Sequence, residues 1–226
     1  MPLFVEKIRA ICFDVDGTLS DTDDLMQQRL ERLFRPFRFL FKGQDISRAA
    51  RRLVMASETP ANFLIGIPDR IGLDDEIFAL FDWMARRTSR PPKKFLIIPG
   101  VREMLEVLVT RYPLAVVSAR DTRTTGYFLD QFDLRRYFQV IVTAQTCEHT
   151  KPYPDPVLYA AKTMGVPPDE CLMVGDTIVD IYAGGRAGAQ TIGVLCGFGE
   201  EDELRRAGAD MVLATTPEVC SVLQAS

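Results

Sequence analysis

From residue 95 onward the chain alternates short apolar runs with stretches of helical periodicity, and few folds accommodate that pattern. PLAVVS (113–118), FQVIVT (138–143), CLMVG (171–175), AQTIGV (189–194) and DMVL (210–213) read as strands, as does the earlier run Ile8 to Phe13. None alternates apolar with polar residues, so both faces of each strand are expected to be covered. Between them lie amphipathic segments. PGVREMLEVLVTRY (99–112) puts Val101, Leu105 and Leu108 on one face. DTRTTGYFLDQF (121–132) offers Asp121 as N-cap, and DPVLYAAKTMG (155–165) offers Pro156 at N1 and Gly165 as the stop. TIVDIYAGGRAG, EDELRRAG and TPEVCSVL continue the series. Unbroken apolar strands separated by helices predict an α/β fold: a Rossmann-like parallel sheet with helices on both faces.

Residues 20–94 break this rhythm. They are helical in pattern, with almost no strand signal. DDLMQQRLERLF aligns Met26, Leu30, Leu33 and Phe37 on one face, Pro36 ends that helix, and DDEIFALFDWMARRT (74–88) is a second strong helix. SRPPKKF (89–95) reads as a linker. The expected organisation is therefore a core of residues 1–19 and 95–226, with a small helical domain, 20–94, inserted after the first strand.

Composition closes off several functions. The 226 residues carry a net charge of −4 and a pI near 5.2, which argues against nucleic acid or an anionic membrane surface as partner. Five cysteines (12, 147, 171, 196, 220) are scattered singly and His149 is the one histidine, so a zinc site is not expected. Cys12 and Cys171 fall in strands and read as core. No apolar run approaches the ~18 residues of a membrane span, and MPLFVEKIRA lacks the pattern of a signal peptide. These features predict a cytoplasmic protein with reduced thiols, monomer or homodimer.

In a parallel α/β sheet, ligands gather at the carboxyl ends of the strands. Asp14 and Asp16 follow the first strand, in AICFDVDGTLSDT (10–22). Ser118 follows PLAVV. Gly175 and Asp176 follow CLMV, with Asp180 one turn into the next helix. Lys151 lies in EHTKPYPDP, beyond FQVIVT. Singly, each has an ordinary explanation: Asp16-Gly17 is a turn signal, Asp176 a helix cap, Asp180 a first-turn acid, Ser118 a cap or core hydroxyl, Lys151 a solvated base. Together, at corresponding strand ends, they form a carboxylate-rich site with one amine. Oxygen donors without Cys or His suit a hard cation such as Mg²⁺, which commonly takes one or two carboxylates plus substrate phosphate. A carboxylate approaching a phosphate dianion at ~4 Å meets about 4 kcal/mol of repulsion per charge pair at an effective dielectric near 20. A cation and Lys151 would reverse that sign. The glycines of GGRAG (184–188) follow a helix rather than a strand and read as a helix stop with tight packing, not a nucleotide fingerprint. His149 has no acid partner nearby in sequence and reads as a surface residue. GFGEE (197–201) is a loop able to touch the site.

DVDGTL with its SDT continuation, Ser118, Lys151 in KPYPDP, and GDTIVD resemble, in this order, the four motifs of the haloacid dehalogenase superfamily of phosphohydrolases. The resemblance spans nearly everything outside the insert, whose position matches the C1 cap of subfamily I, phosphoglycolate phosphatase-like members included. It implies Asp14 as the nucleophile forming an aspartyl-phosphate, and Asp16 as the acid–base partner. It implies Mg²⁺ held by Asp14, the carbonyl of Asp16 and Asp176, with Asp180 supporting from behind. Ser118 and the amide of Ala119 would hold phosphoryl oxygens, Lys151 would bridge nucleophile and phosphate, and Gly17 would allow the tight turn. One departure stands out: Ala119-Arg120 follows Ser118, where many relatives have Asn.

The resemblance implies a phosphatase for a small phosphorylated metabolite. A phosphomutase of the β-phosphoglucomutase type, or a non-catalytic binding protein on the same fold, are the alternatives. Dehalogenation is disfavoured because Asp16 and the metal acids are all present. Phosphonate hydrolysis would need a cap lysine, for which Lys42 is the candidate. Arg48, Arg51 and Arg52 share a cap helix face, which reads as a solvated face or as a second anion site. FRPFRFLF (34–41) reads as packing among cap helices, with a partner contact as the alternative.

Overall fold

The computed structural model describes residues 3–21 and 95–224. Six strands make one parallel sheet: β1 (Ala10–Phe13), β2 (Leu114–Val117), β3 (Val140–Val142), β4 (Cys171–Gly175), β5 (Gln190–Val194) and β6 (Met211–Leu213). Their spatial order is β3-β2-β1-β4-β5-β6. The chain winds outward from β1 in one direction through β2 and β3, then restarts on the other side at β4. A doubly wound sheet opens its ligand crevice at this reversal. Register sets the level of the crevice floor. Phe13 stands opposite Val116 on one side and Val174 on the other. The residues just past these strand ends, Asp14, Ser118 and Asp176, therefore emerge along one edge. Backbone bonds extend the ladder to that edge, from Asp14 N to Val174 O and from Ser118 N to Val142 O, both 2.9 Å.

Alternate strand residues feed two cores, as the two-residue period of a strand requires. Ile11, Phe13, Leu114, Val116, Leu172, Val174, Ile192 and Val194 pack on one side. With them pack Val101, Met104, Leu105 and Leu108 of α1 (Val101–Leu108), Phe128 and Leu129 of α2 (Thr122–Gln131), and Val219 and Leu223 of α6 (Glu218–Gln224). The opposite side is built of smaller residues. Ala10, Cys12, Ala115, Val117, Cys171 and Met173 meet Val157, Ala160 and Ala161 of α3 (Asp155–Met164), and Ala183 and Ala187 of α4 (Ile178–Ala187). α5 (Glu201–Arg206) lies between β5 and β6 in sequence. Cys12 and Cys171 are fully buried, as their strand positions require.

Helix boundaries follow the expected caps with two refinements. Asp121 accepts from Thr124 N (2.9 Å) at the start of α2. α3 begins at Asp155, so Pro156 takes the second helical position rather than the first. Thr177, not Asp176, caps α4, in a reciprocal box with Asp180. That leaves the Asp176 carboxylate available to the crevice. GGRAG closes α4, which stops at Gly188.

The expected helices of residues 20–94, with Lys42, Arg48, Arg51 and Arg52, lie beyond the described residues except for Ser20 and Asp21. The two chain segments flanking them are joined. Asp21 N donates to Leu96 O (3.0 Å), Ile98 N to Leu19 O (3.1 Å), and Ser20 Oγ to Leu96 O (3.2 Å). Gln131 holds both the N–H and the C=O of Phe95, at 3.1 and 3.0 Å. The Phe95 ring meets Phe128 edge-on at 5.8 Å, and Phe128 meets Phe132 at 5.5 Å. Phe128 is thus the keystone under the returning segment. Phe128→Ala should cost about 3–5 kcal/mol; urea unfolding of the two proteins measures it, and a loss under 1 kcal/mol would contradict this packing.

Candidate active site

Four charged side chains meet at the carboxyl edge of β1 and β4, all nearly removed from solvent: Asp14 (5% exposed), Lys151 (6%), Asp176 (1%) and Asp180 (1%). Lys151 Nζ lies between two acids, donating to Asp14 Oδ1 (2.5 Å) and Asp180 Oδ1 (2.6 Å). The other oxygen of Asp180 accepts from Thr177 N (3.0 Å) and Thr177 Oγ1 (2.7 Å). Asp180 is thus spent on both sides, tying the start of α4 to the lysine. This explains the spacing of GDTIVD: the fourth residue after Asp176 must be the N3 position of a capping box.

Asp176 is held from the opposite direction. Its Oδ2 accepts from Phe198 N (2.8 Å), and Thr18 Oγ1 approaches Oδ1 (3.5 Å). Gly17 (φ +67°) and Gly197 flank the carboxylate so closely that a Cβ on either would overlap it. The loop GFGEE does reach the site, and its glycine is there for the close approach.

The electrostatics of this cluster are unbalanced. Asp14, Asp176 and Asp180 place carboxylate oxygens within 4.8 Å of one another. Three carboxylates against one ammonium leave two negative charges over. Burial, reinforced by Asp180 and Asp16 and opposed by Lys151, pushes the Asp14 carboxyl up to about 7. Burial first, then Asp180 and Asp14, raises Asp176 well above the usual carboxylate range. For Lys151 burial disfavours the charge, but Asp14 and Asp180 outweigh it and its pKa is raised. An all-oxygen donor set with two surplus negative charges fits a hard divalent cation, which would relieve the repulsion that now favours protonation.

Asp16 stands apart from this cluster. Its carboxylate is gripped by Arg120, with Nε to Oδ2 at 2.5 Å and Nη2 to Oδ1. Ser118 is buried, and its Oγ accepts from Arg120 N (3.1 Å). Ala119 is exposed at the same strand end. His149 is half-exposed and, contrary to the expectation, has an acid partner: Asp155 Oδ1 lies 3.1 Å from Nδ1, within reach across six residues of a turn. Sequence reasoning noticed Arg120 only as a departure and missed Thr18, Thr177 and Phe198 as site-building residues. The glycine density of GFGEE and the Thr-x-x-Asp cap pattern were the available signals.

Among the described residues no helix is long and apolar enough to cross a membrane, and the cysteines are unpaired. The model of the haloacid dehalogenase-like hydrolase family matches residues 11–194. The chain is 28% identical to pyrophosphatase PpaX of Oceanobacillus iheyensis over 96% of its own length and 97% of the relative's. It is also 28% identical to a phosphoglycolate phosphatase of Nitrosococcus oceani, over 94% and 95%. A crystal structure of a hydrolase from Pseudomonas syringae superimposes with TM-score 0.69 at 27% identity, covering 96% of this chain and 98% of that one.

Two outcomes follow from the geometry. The folded pKa of Asp14 lies above its unfolded value of about 4. The proton it holds therefore contributes stability that is complete below pH ~4 and lost as pH rises through ~7. Thermal melts of the metal-free protein should fall over that window, and a divalent cation should raise the melting temperature more at pH 8 than at pH 5.5; an equal gain at both would contradict this cluster. Gly197→Ala should displace the Asp176 carboxylate and weaken divalent-cation binding by at least ~10-fold in calorimetry. The cluster sits at the strand ends of a doubly wound sheet, in motif order, within a matching family model: the chain belongs to the haloacid dehalogenase-like hydrolases and is a phosphatase.

Proposed function

We propose that the protein is a Mg²⁺-dependent phosphatase acting on a small phosphorylated metabolite, phosphoglycolate phosphatase-like, through an aspartyl-phosphate on Asp14. The observation that carries this reading is the ammonium of Lys151 shared between Asp14 and Asp180 beside Asp176. It holds one oxygen of Asp14 and leaves the carboxylate oriented at the crevice floor. Asp14, Asp176 and the carbonyl of Asp16 would hold Mg²⁺, whose charge offsets that of the phosphoryl group when bound. The names of the relatives, a pyrophosphatase and a phosphoglycolate phosphatase, fit small phosphorylated compounds.

The chain's own residues divide the work. An Asp14 oxygen attacks phosphorus and the bond to the leaving oxygen breaks, while Asp16 gives that oxygen a proton. Ser118 Oγ–H and the Ala119 N–H donate to the non-bridging oxygens, and Lys151 stabilises the charge that builds on them. Asp16, now deprotonated, takes a proton from water as the water attacks the aspartyl-phosphate. Phosphate departs and the Asp14 carboxylate is regenerated. The inserted segment 20–94 would serve as the cap domain, and the free cysteines suit a cytoplasmic setting. All the acids that this sequence of steps needs are present, which favours turnover over a binding role.

The reading predicts phosphate release from p-nitrophenyl phosphate with Mg²⁺, abolished by EDTA. Asp14→Asn should lose at least ~10³-fold in kcat, and Asp16→Asn ~10²–10⁴-fold. Undiminished activity in Asp14→Asn would remove the assigned nucleophile, and isomerised product without free phosphate would favour a mutase.

A further inference from the structure

Thr216 follows β6 in sequence, yet its hydroxyl works on the loop that follows β1. In the sheet, β4 and β5 lie between those two strands. Thr216 is fully buried, and its Oγ1–H donates to Thr18 O at 2.6 Å. The same hydroxyl oxygen lies 3.3 Å from Cys196 Sγ, and that sulfur lies 3.4 Å from Gly17 O. The segment that carries Thr216 is itself anchored. Val219 N donates to Thr216 O (3.1 Å), and Val219 and Leu223 of α6 sit in the core. Pro217 stands against Gly100, where a Cβ would come within 3.0 Å of the proline ring.

These contacts fall on both sides of Asp176. Gly17 and Thr18 form one wall of the slot that holds its carboxylate, and Gly197, next to Cys196, forms the other. The walls meet: a Cβ on Gly17 would lie 2.9 Å from Gly197 Cα. Thr216 is the point at which they are fastened together. Its hydroxyl is the only partner of the Thr18 carbonyl among the described residues, and Thr18 is fully buried. Remove that donor, and the loop regains a partner only by shifting, which moves Gly17 against Asp176. We propose that Thr216 is a positioning residue for the cation site. By closing the slot around Asp176 it fixes the direction of that carboxylate, and so sets the affinity for a divalent cation. The inference rests on the reading of Asp176 as a cation ligand, and extends that site to a residue at the far side of the sheet. The coupling is reciprocal: what steadies Asp176 for the cation is steadied by the cation in turn.

Calorimetry with MgCl₂ on the full chain reads this directly, without turnover. Thr216→Val keeps the shape of the side chain and removes the donor, and should raise the Mg²⁺ Kd by at least ~10-fold. Thr216→Ser returns the hydroxyl and should bring the Kd back to within ~3-fold of wild type. Leu134→Ala, a truncation of a fully buried side chain that precedes β3 at the opposite end of the sheet, should melt lower yet bind Mg²⁺ as wild type does. A Thr216→Val protein that melts lower but keeps the wild-type Kd overturns the proposal. So does a loss of affinity as large in Leu134→Ala. Hydrogen exchange on wild type needs no variant to fold. Saturating Mg²⁺ should slow the Val219 amide, bonded to Thr216 O, more than the Tyr112 amide, bonded to Leu108 O at the other end of the sheet. Equal slowing at both overturns the coupling. Wild type that binds no Mg²⁺ removes the cation reading and this inference with it. Thr216-dependent Mg²⁺ binding in a protein that releases no phosphate upholds the inference while removing the phosphatase reading.

Discussion

The ammonium of Lys151 is the contact on which the site depends. It is buried between Asp14 and Asp180. Take it away and three carboxylates would face one another in a low-dielectric crevice, each favouring protonation. Keep it, and Asp14 is held by one oxygen in a fixed direction at the end of β1. The rest of the site can be read as arrangements that make this contact possible. β1 and β4 pair in register to bring Asp14 and Asp176 level. The capping box of α4 spends the second oxygen of Asp180 on Thr177, so that the first is left for the lysine.

A second arrangement works in parallel and carries opposite demands. Asp176 lies among other acids and is fixed by a backbone N–H from Phe198 and by glycine walls rather than by a cation. Asp16, by contrast, is paired with an arginine and is partly open to solvent. Two acids two residues apart in sequence therefore live in different surroundings: Asp14 against an amine in the dry floor, Asp16 against a guanidinium at the rim. Separated environments of this kind give two neighbouring carboxylates different proton affinities and different freedom to move, as the roles proposed for them require.

Much of this was legible in the sequence, for identifiable reasons. Strands buried on both faces leave a plain apolar record, and polar residues that interrupt it at strand ends mark the crevice. That is why Asp14, Asp176 and the parallel sheet could be placed from the residues alone. The partners were less legible. Lys151 to Asp14, Arg120 to Asp16 and Phe198 to Asp176 are contacts between distant segments, and only the register of the sheet sets which strand ends become neighbours. Arg120 stood out only as a departure from the family pattern, and its partner, more than a hundred residues away in sequence, was not visible. His149 looked unpartnered because the turn that brings Asp155 back to it has no signature strong enough to read. Helix caps fell between: Asp121 was evident, whereas Thr177 rather than Asp176 at the start of α4 was decided by the packing of Asp176 against Phe198, Gly17 and Gly197.

The joined flanks of the inserted segment have a consequence for how such proteins can diversify. Leu19 to Asp21 and Leu96 to Ile98 are bonded to each other at the doorway, so whatever lies between them leaves and re-enters through one small gate. The entropic toll for closing a loop is settled at that gate and grows only slowly with the length enclosed. A longer, shorter or wholly different insertion would load the same few hydrogen bonds and leave the sheet unmoved. The core and the segment inserted in it can therefore change in sequence at independent rates within a single gene.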